Sequence, residues 1–88
     1  MKIETKFNIG EHVWLVERNN GVVEVFDGEL AAVSVDDNYL IEYMLRESYD
    51  YYPEDRFVRY DDNTGLLEKI KATMEKIRKE EEENKRKW

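Results

Sequence analysis

Residues 12–26 read HVWLVERNNGVVEVF. From His12 to Arg18, Val13 and Leu15 fall on one face and His12, Trp14, Val16 and Arg18 on the other, the period of two that marks a strand. Apolar side chains occur on both faces, so this strand is expected to be covered on both. Asn20-Gly21 follows, the strongest short hairpin signal, because both residues tolerate positive φ. The return run from Val22 to Val35, VVEVFDGELAAVSV, is long for one strand. Asp27-Gly28 in its middle predicts a second turn or a bulge that bends it sharply. A long bent strand serving two halves of a sheet is what a small closed barrel requires.

Working outward, Phe7 and Ile9 are expected to point inward, with Gly10 turning the chain into the first strand. Asp36-Asp37-Asn38 makes the next turn. Tyr39–Leu45 (YLIEYML) is a third β-rich run with Tyr39, Ile41, Tyr43 and Leu45 on one face. Residues 46–55 (RESYDYYPED) read as a loop holding the only proline, Pro53, and Arg56–Tyr60 (RFVRY) as a short last strand. After Asp61 and Asp62 the period changes. Asn63 or Thr64 is the expected N-cap, and Leu67, Ile70, Met74 and Ile77, with Leu66 beside them, form a stripe expected to cover the core. Beyond Ile77 the chain is almost wholly charged. The spacings Glu81–Lys85, Glu82–Arg86 and Glu83–Lys87 suit i,i+4 pairing on a helix reaching into water. Trp14 is expected to pack under this helix. Trp88 has no evident core and is expected to be disordered or to contact a neighbouring chain.

The expected fold is mainly β (β+α): a small barrel of four to five antiparallel strands over residues 1–62, with a C-terminal α-helix over residues 63–88. The helix is packed on the barrel at its start and solvent-exposed toward its end. Eighty-eight residues leave no room for a second independent core.

The charge is unevenly spread. Residues 1–62 carry six bases and fifteen acids, net −9, whereas residues 63–88 carry eight bases and six acids, net +2. An acidic body repels phosphate backbones, so direct nucleic-acid binding is not expected. There is no cysteine, hence no disulfide, thiolate metal site or cysteine nucleophile. No apolar run approaches a bilayer span and no signal-type region opens the chain, so a soluble, cytoplasmic protein without membrane attachment is expected.

Chemistry is sparse. His12 is the single histidine, and no Ser-His-Asp arrangement is apparent. The four glycines are isolated and form no phosphate cradle. A calcium loop starting at Asp61 would need Gly and Glu where Leu66 and Ala72 stand, so Asp61-Asp62-Asn63 and Asp36-Asp37-Asn38 read as turn and capping residues. No catalytic residue, metal or cofactor is expected.

The stretch KFNIGEHVWLVERNNGVVE, with Gly10-Glu11-His12-Val13 matching a G-[DE]-x-V pattern, resembles the opening of small SH3-like barrels of the Tudor and KOW type. YLIEY and YPEDRF also resemble segments in a group of small uncharacterised proteins from Firmicutes and their phages. The resemblance spans roughly residues 6–77. Tudor-type barrels that read methylated side chains use an aromatic cage with a carboxylate. Here Tyr49, Tyr51 and Tyr52 with Glu54 and Asp55 supply rings and charge, but all three tyrosines lie in one loop. Tyr39, Tyr43 or Trp14 would have to complete a cage.

Tyr49, Tyr51, Tyr52, Glu54 and Asp55 are therefore the candidate partner-binding residues. The expected function is a non-enzymatic module presenting this acidic, tyrosine-rich face to a basic segment of a protein partner. The alternative is a phage-type inhibitor that occupies a host nucleic-acid enzyme by acidic charge mimicry. A homodimer through the C-terminal helix is a further possibility.

Overall fold

A computed structural model describes residues 4–86. Five strands, β1 (His12–Asn19), β2 (Val22–Val35), β3 (Ile41–Leu45), β4 (Tyr52–Pro53) and β5 (Phe57–Arg59), precede one helix, α1 (Asn63–Arg86). The protein is thus a mainly β chain with a single C-terminal helix. The sheet is antiparallel throughout, in the order β4-β3-β2-β1-β5.

Asn20 and Gly21 take φ of 52° and 81°, closing the β1–β2 hairpin at the expected place. β2 pairs with β1 from Val22 to Glu29 and with β3 from Leu30 to Val35, with a shift of register between Leu30 and Ala32. Leu45 lies against Gly28, where a β-carbon would come within 3.4 Å of its side chain. One long strand therefore belongs to both halves of the sheet, and the bare Gly28 backbone lets them fold together.

The outermost strands β4 and β5 are joined only by a 3-10 turn, Glu54–Arg56. Those three residues let Pro53 and Phe57 stand at most about 14 Å apart. A flat sheet would hold its outer strands about 19 Å apart. The sheet must therefore roll, although β4 and β5 share no ladder among the described residues.

Inside the roll, Phe7, Val13, Leu15, Leu30, Tyr43, Leu45 and Phe57 form the core, with Ile41 and Tyr52 packed against it. Phe7, Tyr43 and Phe57 meet edge to face, with centroids 5.5–6.3 Å apart. Val16 and Val58 are also buried but lie outside this cluster. Val16 is on the opposite face of β1 from Val13 and Leu15, where α1 crosses, so β1 is covered on both faces as its pattern implied.

Several expectations need correction. Ile9 is exposed, and only Phe7 of the N-terminal pair enters the core. Tyr39 is exposed at φ 61° in a turn, because Asp36 Oδ1 accepts the amides of Asn38 and Leu40 and closes the chain before the strand can begin. Residues 46–55 are not all loop, since Tyr52–Pro53 add an edge strand, a place proline tolerates. The N-cap is Asp62, whose Oδ1 accepts the Gly65 amide at 3.0 Å, and Asn63 and Thr64 fall within the first turn. The helix is rotated from the expected stripe: Leu66, Ile70 and Ile77 are half-buried, whereas Leu67 and Met74 are more than half exposed. Trp14 is stacked on Tyr60, with centroids 4.8 Å apart, and donates its indole N–H to the Tyr60 carbonyl at 3.0 Å. Trp88 and the Glu83–Lys87 spacing lie outside the described residues, as do the side chains of Lys85 and Arg86.

Candidate functional site

The segment between β3 and β4 is shaped by short-range bonds. The Ser48 amide donates to the Leu45 carbonyl at 3.0 Å. The Asp50 amide donates to Ser48 Oγ at 3.3 Å. Arg46 is tied to Glu29 through its backbone amide, 2.8 Å, and its guanidinium, 3.3 Å. Between Ser48 and Asp50 the Tyr49 side chain projects into solvent, 96% exposed. Glu47 stands at φ 72°, a conformation that costs a non-glycine residue roughly 1–2 kcal/mol. A carboxylate is thus held where glycine would be conformationally easier. Glu47 and Asp50 are both exposed on either side of Tyr49.

The five candidate residues separate at the start of β4. Tyr51 is 42% exposed. Tyr52, the next residue, pairs with Tyr43 across the β3–β4 ladder and packs against the core, the in–out alternation of a strand. Glu54 is occupied: its Oε2 accepts the Tyr43 hydroxyl at 2.5 Å and the Lys6 amide at 3.0 Å. Asp55 is exposed on the 3-10 turn and borders a groove facing α1. Tyr49 and Tyr51, with Glu47 and Asp50, therefore form the solvent-facing part, while Tyr52 and Glu54 anchor its C-terminal end.

Among the described residues, no aromatic cage is built around this loop. Tyr43 is wholly buried in the core, Tyr39 lies in the β2–β3 turn, and Trp14 is covered by Tyr60. Burial and the bond to Glu54 push the Tyr43 phenol from its ordinary 10 up to about 12.

A second exposed constellation was not apparent from the sequence. Tyr60, 45% exposed, lies against both Trp14 and His12, its centroid 4.1 Å from the imidazole, and His12 Nε2 is 2.9 Å from Asp27 Oδ2. The available signal was the shared face of His12 and Trp14 on β1. Tyr60 belongs to the short connection between β5 and α1. Among the described residues, no three His, Asp or Glu side chains gather closely enough to hold a metal ion, and no helix is long and apolar enough to cross a membrane.

Compared with known proteins, the chain matches no family model, no curated protein and no solved structure.

Proposed function

We propose that this chain is a non-enzymatic, cytoplasmic protein-binding module of SH3-like type whose loop at residues 46–51 engages a lysine- or arginine-rich segment of a partner protein. The observation that carries the reading is Tyr49, almost fully exposed at the crest of a loop tied on both sides and flanked by the carboxylates of Glu47 and Asp50. An exposed phenol offers a large rigid contact area and a hydrogen-bonding tip. Its ring face attracts a cation by roughly 0.5–1 kcal/mol at an exposed site. The carboxylates, on a body of net charge −9, steer a basic segment toward the loop. The rolled sheet with a 3-10 turn between its outer strands supports the SH3-like part of the reading.

Calorimetric titration with a lysine- and arginine-rich peptide tests it. Tyr49→Ala with Tyr51→Ala leaves the charge unchanged and should weaken binding by about tenfold or more, a loss near 1.4 kcal/mol. Equal affinity in this variant would mean that charge alone acts, as in mimicry of a polyanion, and would overturn the ring-based reading.

A further inference from the structure

Six of the fourteen basic side chains border two adjoining grooves where α1 crosses the sheet. The first groove, about 270 Å³, is bordered by Arg18, Arg56, Lys69 and Lys76, with Val16 and Ala72 among its apolar lining. The second, about 320 Å³, lies at the start of the helix and is bordered by Lys6, Arg59 and again Lys69. Among the described residues, only Asp55 and Asp62 contribute carboxylates to the linings, and Asp62 is engaged in capping the helix.

This gathering runs against the composition. Four of the six bases in the acidic segment 1–62 border the two grooves. The three arginines are braced by carboxylates: Arg18 by Glu80 at 2.7 Å, Arg56 by Glu17 at 2.7 Å and Arg59 by Glu11 at 3.5 Å. Arg59 also donates to the Lys6 carbonyl at 3.0 Å and lies over the Phe7 ring, but each guanidinium carries five N–H donors, so these contacts do not use them all. Lys6, Lys69 and Lys76 make no ion pair among the described residues.

We propose that these joined grooves dock an extended acidic peptide segment of a partner protein. An apolar side chain would rest on Pro53 and Ala72, both exposed in the first groove, with carboxylates beside Lys69 and Lys76. From Gly65 to Lys76 the helix runs about 16 Å, the length of about five extended residues. The apolar part of the lining favours a peptide, which carries apolar side chains between its carboxylates, over the uniformly charged backbone of a nucleic acid. Neither Tyr49 nor Tyr51 borders either groove, so this surface stands or falls separately from the tyrosine loop.

The test is fluorescence anisotropy with a labelled peptide of alternating glutamate and leucine, beside a labelled single-stranded DNA. Lys69→Glu with Lys76→Glu should weaken peptide binding by about tenfold or more, whereas Lys71→Glu with Arg78→Glu should change it by less than about twofold. The control pair carries the same charge change about 200° round the helix. Circular dichroism checks that both variants remain folded. Should the first pair unfold the chain, amide shifts of the wild-type protein decide, and they must include Val16, Ala72 and Thr73. No binding by the wild type, equal weakening in both variants, or tighter binding of DNA than of peptide would overturn the proposal.

Discussion

Tyr43 donates its hydroxyl to Glu54 across 2.5 Å, and the same Glu54 oxygen accepts the Lys6 amide while the Phe7 amide donates to the Tyr43 hydroxyl at 3.4 Å. One carboxylate thus joins the N-terminal segment, β3 and the 3-10 turn. Tyr43→Phe removes the central donor and should cost roughly 1.5–3 kcal/mol in urea unfolding, the contribution of a hydrogen bond to a charged partner.

The same pair sets a limit at high pH. The folded phenol titrates near 12 and the unfolded one near 10, so between these values the native state holds the proton more tightly. Its contribution is complete below pH 10 and is lost as pH rises toward 12. Urea midpoints followed across this interval should fall more steeply for the wild type than for Tyr43→Phe. The substitution should also remove the tyrosinate absorbance that appears near pH 12.

At the start of α1, Asp62→Ala should cost about 1 kcal/mol by removing the cap. Gly65→Ala, which in an ordinary helix would gain about 1 kcal/mol, should gain nothing here. A methyl group at position 65 would collide with the Asp62 carboxylate and displace the cap. Chemical unfolding of both variants checks this, and a stabilised Gly65→Ala would contradict the capping geometry.

The helix has one covering side. Val16→Ala should cost about 2 kcal/mol, since its buried side chain loses two carbons and leaves a gap. Leu67→Ala and Met74→Ala, on exposed positions, should each stay within about 0.5 kcal/mol. A large loss at Leu67 or Met74 would show that this side of the helix is covered in solution, as a helix-mediated dimer would require.

Tyr60→Ala should expose the Trp14 indole and shift its emission to longer wavelength, read in a Trp88→Phe background. The lost stacking should cost about 1 kcal/mol. Unchanged emission would show that Tyr60 does not shield the indole.

What could be read in advance was local. The Asn20-Gly21 turn and the two-sided burial of β1 each depend on neighbouring residues and on strand period, whereas the register shift in β2 falls between Leu30 and Ala32, past the Asp27-Gly28 pair. The helix face was ambiguous, because stripes through Leu66 and through Leu67 differ by one residue, about 100° of rotation, and only packing on Val16 and Val58 decides between them. The role of Glu54 was hidden because its partners, Tyr43 and Lys6, are distant in sequence. The candidate site was half legible: exposed Tyr49 and Tyr51 follow from a polar loop, but the inward turn of Tyr52 needed a strand too short to announce itself. The basic lining under the helix was illegible for the same reason, since its members run from Lys6 to Lys76.

The central claim is that the 46–51 loop is a contact surface, and a heteronuclear NMR titration of the whole protein with a lysine- and arginine-rich peptide tests it most directly. Saturable amide shifts concentrated at Glu47–Tyr51, absent in the Tyr49→Ala, Tyr51→Ala variant, are expected. Shifts spread evenly over the acidic surface, or centred elsewhere with the loop unmoved, would contradict it.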